Sequence, residues 1–144
     1  MPQATLSVRA VCREGARTEI STAAHRWQID EPAAFGGQDT APSPVDMLLG
    51  SLAGCICAAG NLIAREMGLP CEGIEMQVSG QIDSGRFLGM GGEGRPGFSA
   101  ITVTMQTGAD WPPAQKAEWL RQVKARCPVI DNLASPTALE FELT

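Results

Sequence analysis

The sequence has few of the residues on which metal and nucleic-acid sites depend. His25 is the only histidine, and no two cysteines have the Cys-x-x-Cys spacing that is common in zinc sites. The 11 lysines and arginines are outnumbered by 16 acidic residues, and they form no cluster that could bind a phosphate backbone. The net charge of −5 also disfavours anionic partners. We therefore expect neither a metal centre nor a nucleic-acid partner.

A regular disulfide framework is also missing. The five cysteines, at positions 12, 55, 57, 71 and 127, are odd in number and irregularly spaced, unlike those of small secreted proteins. The first ten residues lack the apolar core and the cleavage site of a signal peptide. These features predict a cytoplasmic protein. In that compartment a cysteine pair is more often catalytic or redox-sensing than structural.

A glycine-rich segment has the same glycine spacing as a dinucleotide-binding motif. Gly89, Gly91 and Gly94 satisfy the pattern G-x-G-x-x-G. The dinucleotide fingerprint requires a strand before this pattern and a helix that opens within it. Here Pro96 and a predicted strand follow instead, so the segment is interpreted as the tip of a hairpin, and no cofactor is expected.

A long apolar helix is predicted in the middle of the chain. Ser43 is a favourable N-cap, Pro44 suits the first helical position, and Asp46 has the place of a capping-box acid. The helix can continue to Met67, because Gly68 favours the left-handed residue that follows many helices. The predicted helix therefore has about 24 residues and a length of about 36 Å.

The apolar surface of this helix is too long to be buried easily within one small chain. Residues 48–64 carry no charge and approach the ~17 residues that could span a bilayer. Glycines and Asn61 within them favour a buried helix of a soluble protein, so no membrane partner is expected. A compact chain of this length has a radius of gyration of only about 15 Å. The sequence thus predicts that two subunits share the burial of this helix.

Short strands are predicted on both sides of the helix. Alternation of apolar and polar residues indicates strands over 4–12, 17–22, 25–30, 72–82, 98–106 and 138–143. A second helix is expected to be capped by Asp110 and to end at Cys127, because Pro128 follows. No repeat or interdomain linker is visible, so residues 1–144 are predicted to form one domain.

Two cysteines have surroundings suited to chemistry. Cys55 lies on the apolar stripe of the long helix, where a cysteine is often a small buried residue, but the glycines and alanines around it would admit a ligand. Cys127 has Lys124 and Arg126 within one turn, and nearby cations favour a thiolate, whereas the C-terminus of a helix opposes it. Cys127 is therefore better suited to resolve a reaction than to start one.

The other cysteines have weaker claims to a functional role. Cys57 follows Cys55 by two positions and points elsewhere on the helix, so the two cannot share one metal ion. Cys12 and Cys71 lie in or beside predicted strands. Packing is the role expected for Cys12 and Cys71, and none of the three is expected to have a paired role.

Several segments together resemble the OsmC/Ohr family. The segment 42–55, from Pro42-Ser43-Pro44 to Gly54-Cys55, resembles the central segment of these proteins, and Arg126-Cys127-Pro128-Val129 resembles their second cysteine motif. Residues 30–32 and 36–37 fit the same pattern. The resemblance covers nearly the whole chain. It implies an α+β fold in which a long central helix packs on antiparallel sheets within an intertwined homodimer.

The resemblance also implies an activity, the thiol-dependent reduction of organic hydroperoxides. Cys55 would attack the peroxide and become a sulfenic acid, Cys127 would condense with it to a disulfide, and an external dithiol would restore both thiols. The family uses an arginine from an N-terminal strand to favour the attacking thiolate. Arg17 is the residue predicted for this role, and Arg13 is the alternative.

One position departs from the pattern of the peroxidases in this family. They carry a glutamate directly after the proline that opens the helix, whereas this chain has Val45 there and an acid, Asp46, one residue later. This arrangement resembles a divergent OsmC-like branch. Two alternatives to the enzyme therefore stay open: a dimer that binds a small apolar or thiol-reactive ligand without turnover, and a structural protein with inert cysteines.

Overall fold

The computed structural model describes residues 3–144 of the chain, which form two compact units. The first unit comprises the chain up to Leu48 together with Ser84–Gly94. The second comprises Leu49–Asp83 and Arg95–Thr144.

The first unit contains a three-stranded antiparallel sheet. Its strands β1 (Arg9–Cys12), β2 (Thr18–Ser21) and β3 (Arg26–Ile29) are hydrogen-bonded in the order β1-β2-β3. Gly15 takes a φ of +62° in the turn between β1 and β2, a conformation that favours glycine. The three strands and this turn confirm the sequence prediction, except that β1 is shorter than the predicted 4–12, since residues 4–8 form no strand.

The loop after β3 is organised by one buried carboxylate. The side chain of Asp30 accepts hydrogen bonds from the backbone N–H groups of Glu31, Gln38 and Thr40 and from the Thr40 hydroxyl. These donors, the Thr40 hydroxyl foremost, lower the pKa of Asp30 to about 2. Gly37 is required in this loop, since a Cβ atom there would lie 1.7 Å from the carbonyl oxygen of Glu31.

Helix α1 (Pro44–Glu66) begins and ends as the sequence predicts. Ser43 and Asp46 form the capping box: the backbone N–H and hydroxyl of Ser43 donate to the Asp46 carboxylate, and the N–H of Asp46 donates to the Ser43 hydroxyl. At the other end Gly68 has a φ of +67°, and the N–H of Leu69 donates to the carbonyl oxygen of Ala64.

Helix α1 buries only part of its surface in the single chain. Leu52, Ile56 and Ile63 belong to the core, whereas Leu48 and Leu62 are exposed. By length and composition the helix could cross a membrane, although only 28% of its most apolar window is buried. The core helix of a soluble protein can have the same length and composition.

The second unit packs a two-stranded sheet and two helices on α1. Strands β4 (Ile74–Gln81) and β5 (Ala100–Thr107) are antiparallel, with Val78 opposite Val103. Their apolar side chains pack against the core, and their polar residues are exposed, as expected for a sheet with one solvated face. The helices are α3 (Pro113–Arg126) and α4 (Pro128–Ala134). The fold is thus α+β, which confirms the fold class.

Three local predictions require correction. Asp110 does not cap α3, because Pro112 and Pro113 set the start of this helix at Pro113. The Asp110 carboxylate instead pairs with Lys116 at 3.2 Å. The glycine-rich connection contains a short helix, α2 (Ser84–Phe87), before its tip. Residues 138–143 form no strand in the single chain, since no strand among residues 3–144 pairs with them.

Candidate active site

The structure brings together the two cysteines selected from the sequence. The Sγ atoms of Cys55 and Cys127 are 2.9 Å apart, although the residues are 72 positions apart in the chain. Cys55 is half-buried in the middle of α1, and Cys127 is 1% exposed. Both are free thiols. A disulfide bond is about 2.05 Å long, so a shift of roughly 0.9 Å would let the two sulfur atoms bond.

Pro128 explains why Cys127 lies where it does. A proline disfavours the helical conformation of the residue before it, and Cys127 accordingly adopts φ −80° and ψ 113° between α3 and α4. Its N–H still donates to the carbonyl oxygen of Val123, and its own carbonyl oxygen accepts from Asp131. Cys127 therefore ends one helix and starts the next, which fixes its backbone on both sides.

The environment of Cys55 does not favour its thiolate. Burial, the largest cause, and the neighbouring thiol of Cys127 raise the pKa of Cys55, while the backbone N–H of Val129 lowers it. Within the second unit, the groups that act on this pKa include no cation. An attacking thiolate at this position therefore needs a positive charge from elsewhere.

The two candidate arginines belong to the first unit. Arg13 follows β1, Arg17 precedes β2, and both are exposed. Arg17 lines a cavity of about 270 Å³ together with Asp30, Gly36 and Gly37. The choice between Arg17 and Arg13 as the partner of Cys55 stays a prediction.

Val45 and Asp46, where the sequence departs from the peroxidase pattern, lie in the first turn of α1. The side chain of Val45 is partly exposed, and the Asp46 carboxylate is occupied by the capping box with Ser43. Asp46 therefore has a structural partner that does not depend on any arginine.

The remaining cysteines are separate from the pair. The Cys12 thiol donates to the carbonyl oxygen of Gly15 at 3.2 Å, and the Cys71 thiol donates to Asn61 Oδ1 at 2.7 Å. Cys57 is half-buried on α1. Over residues 3–144, no group of three or more histidine, cysteine or acidic side chains is arranged to hold a metal ion.

An apolar cavity, which the sequence did not reveal, lies in the second unit, and neither Cys55 nor Cys127 is among the residues that line it. It has a volume of about 880 Å³. Its walls come from α1, β5, α3 and α4 and include Leu52, Ile56, Val103, Leu120, Val123 and Ile130. Arg95 and Lys124 contribute the two cations in its lining. Leu52 and Ile56 are neighbours of Cys55 in the sequence of α1, and Val123 and Ile130 come from the helices on either side of Cys127.

Comparison with known proteins identifies the family. The profile described as OsmC-like protein matches residues 37–142, which is most of the chain. This chain belongs to the OsmC-like protein family. A search of curated proteins finds no match.

Solved structures of OsmC-like proteins share the fold. An OsmC-like protein of Mycoplasma pneumoniae superposes with a TM-score of 0.79 at 20% identity and covers 92% of this chain and 89% of its own. The organic hydroperoxide resistance protein OhrB of Bacillus subtilis gives a TM-score of 0.58 at 24% identity, with 89% of each chain covered. A Vibrio cholerae protein described as an organic hydroperoxide resistance protein, with captopril bound in one of its active sites, gives a TM-score of 0.65 at 18% identity. The match covers 92% of this chain and 86% of that protein. These likenesses confirm the predicted OsmC-like fold.

Proposed function

We propose that this OsmC-like protein is a thiol peroxidase that reduces organic hydroperoxides through Cys55 and Cys127. The observation that carries the proposal is the 2.9 Å separation of the two sulfur atoms. A sulfenic acid formed on one of them would meet a thiol within bonding reach. Solved relatives described as organic hydroperoxide resistance proteins share the fold.

The reaction would have three balanced steps. The Cys55 thiolate attacks one peroxide oxygen, the O–O bond breaks, and the alkoxide takes up a proton and leaves as an alcohol. The Cys127 thiolate then attacks Sγ of the Cys55 sulfenic acid, and the hydroxide released becomes water as the disulfide forms. An external dithiol reduces this disulfide by exchange and is itself oxidised.

The first step would need a cation near Cys55 and space for the organic group of the peroxide. Burial raises the pKa of Cys55, so the reaction needs a cation, for which Arg17 is proposed and Arg13 is the alternative. The apolar cavity of about 880 Å³ would hold the organic part of the hydroperoxide. No metal or other cofactor takes part in these steps.

The proposed unit of function is a cytoplasmic intertwined homodimer of one OsmC-like domain, residues 1–144. Exposed apolar side chains support this assembly. They include Leu48 and Leu62 on α1, and Leu139, Phe141 and Leu143 in the C-terminal segment that forms no strand on its own. Large apolar side chains that a single chain leaves exposed in such number are common at interfaces between proteins.

A binding protein is the second candidate, and three observations favour it. Val45 replaces the glutamate of the peroxidases that this chain resembles, and the pKa of Cys55 is raised. The apolar cavity could retain a small ligand without any turnover.

Thiol titration after addition of cumene hydroperoxide distinguishes the two candidates. The enzyme loses two thiols per chain within one turnover and recovers both with a dithiol. A binding protein keeps all five thiols at the same peroxide concentration. If the thiols are consumed only as slowly as those of free cysteine, the proposed function is wrong.

A further inference from the structure

An ion pair joins the ends of the two helices that carry the thiols. Glu66 is the last residue of α1, and Arg126 is the last residue of α3, directly before Cys127. Both terminal nitrogens of the Arg126 guanidinium donate to the Glu66 carboxylate, with Nη2 at 2.9 Å from Oε1. This two-point geometry fixes the relative orientation of the two side chains more firmly than a single hydrogen bond does.

The pair differs from the other ion pairs of the protein in what it connects. Arg121 and Glu118 pair within α3, and Lys116 pairs with Asp110 just before that helix. Among residues 3–144, only Glu66–Arg126 is an ion pair between α1 and α3. Its side chains are 40% exposed for Arg126 and 46% for Glu66, so the pair alone adds little to overall stability.

The Glu66–Arg126 ion pair is adjacent in sequence to Cys127 and lies three helical turns from Cys55. Cys127 directly follows Arg126, whereas Cys55 precedes Glu66 by 11 positions, about 16 Å along the axis of α1. The backbone hydrogen bonds of Cys127 are to Val123 in α3 and to Asp131 in α4. An ion pair between the end of α3 and the end of α1 therefore limits how far the Cys127 thiol can move away from α1.

We infer that Glu66 and Arg126 are positioning residues, which hold Cys127 where its thiolate can attack Sγ of Cys55. The inference deepens the proposed function, since it concerns the disulfide-forming step of that same site. A purely electrostatic role of Arg126 would change the rate of this attack in a different way. If the Arg126 charge mainly favoured the Cys127 thiolate, removing Glu66 would free that charge and speed the attack.

A thiol–disulfide exchange measures this step without any peroxide. Cys55 is first converted to a mixed disulfide with thionitrobenzoate by Ellman's reagent, in a background carrying Cys12→Ser, Cys57→Ala and Cys71→Ala. The Cys127 thiolate then attacks Sγ of Cys55, the new disulfide forms, and thionitrobenzoate leaves as a coloured thiolate. Should this background fail to fold, peptide mass spectrometry on the chain with all five cysteines follows the same bond.

Both Arg126→Gln and Glu66→Gln should slow this closure by about three- to tenfold at every pH, because small displacements of a reacting group lower its effective concentration. The reversed pair, Glu66→Arg with Arg126→Glu, should recover most of the rate. Arg121→Gln, which breaks an ion pair within α3, is the matched control and should leave the closure rate unchanged.

Two results overturn the inference. Unchanged closure in both variants means that the ion pair does not position Cys127. Opposite changes, faster in Glu66→Gln and slower in Arg126→Gln, with a shifted pH midpoint, mean that the charge acts on the thiolate instead. A parent chain that closes with Ellman's reagent but ignores cumene hydroperoxide refutes the proposed peroxidase and leaves the positioning test valid.

Discussion

The indole Nε1 of Trp119 donates to the carbonyl oxygen of Gly60 at 2.9 Å, and the indole ring occupies the space above that glycine. A Cβ atom on residue 60 would lie 2.6 Å from Cζ2 of Trp119. Gly60 thus lets α3 approach α1 closely near the thiol pair. Trp111 extends the contact, since its ring packs edge-on against Trp119 with the ring centroids 5.4 Å apart.

Gly60→Ala should therefore destabilise the protein by about 1–3 kcal/mol, because the indole must shift from a well-packed position. Urea unfolding followed by tryptophan fluorescence measures this change. Gly50→Ala is the matched control on the same helix, since nothing lies within 4 Å of its added Cβ, and it should gain roughly 0.5–1 kcal/mol. Equal stability of the Gly60→Ala variant and the parent contradicts this account of the packing.

Variants of the two paired cysteines should fail in different ways. Cys55→Ser should consume no hydroperoxide, since an alcohol is not ionised at neutral pH. Cys127→Ser should react once and leave Cys55 as a sulfenic acid, which dimedone traps or which oxidises further to sulfinic acid. Intact mass spectrometry after one equivalent of hydroperoxide reads both outcomes.

Cys57→Ala is the matched control for these variants, because Cys57 is on the same helix and is expected to keep full turnover. Loss of turnover in a folded Cys57→Ala variant would show that the wrong cysteine of α1 was assigned. One added oxygen in Cys55→Ser, with no change in Cys127→Ser, would reverse the two roles.

Light scattering should give twice the 15.2 kDa of one chain, and the dimer should persist on dilution to nanomolar concentration. Leu62→Glu should weaken the dimer at least tenfold, because Leu62 is an apolar residue that α1 leaves 46% exposed. Gln77→Glu, on the polar face of β4, is the control and should not change the mass. A folded monomer of the parent chain at micromolar concentration rules out the homodimer.

Asp30→Asn should lower stability at neutral pH and matter less in acid. The carboxylate has a pKa of about 2 in the folded protein against 3.8 for the free group, so its contribution is present above about pH 4 and is lost as the pH falls towards 2. Urea midpoints of parent and variant, measured from pH 7 down to pH 2, should therefore converge. A difference that stays constant over this range would mean that the charge of Asp30 is not what stabilises the loop.

Local chemistry made much of the fold predictable. Ser43, Asp46 and Gly68 act within a few residues of their own positions, so the ends of α1 follow directly from the sequence. The loop around Asp30 was not foreseen, because an aspartate before a glycine-rich segment gives no sign that four donors will converge on it.

The site was less accessible to sequence reasoning than the helices. Cys55 and Cys127 could be paired only through the resemblance to a family, since spacing does not bring together residues 72 positions apart. The contact between Glu66 and Arg126 spans 60 positions and had no sequence signal at all. For residues 138–143 the sequence carries a signal that the structure does not follow. Apolar and polar residues alternate there, but no neighbouring strand of the single chain pairs with them.

The separation of Cys55 and Cys127 by 72 positions has a consequence for the oxidised protein. A disulfide between them would close half of the chain into a loop and restrict the unfolded ensemble. In the chain-entropy model, a loop of that size adds about 4 kcal/mol to the free energy of unfolding. The oxidised molecule would therefore be more resistant to heat than the reduced one until a dithiol opens the disulfide again. The melting temperature alone would then report the redox state of the two cysteines.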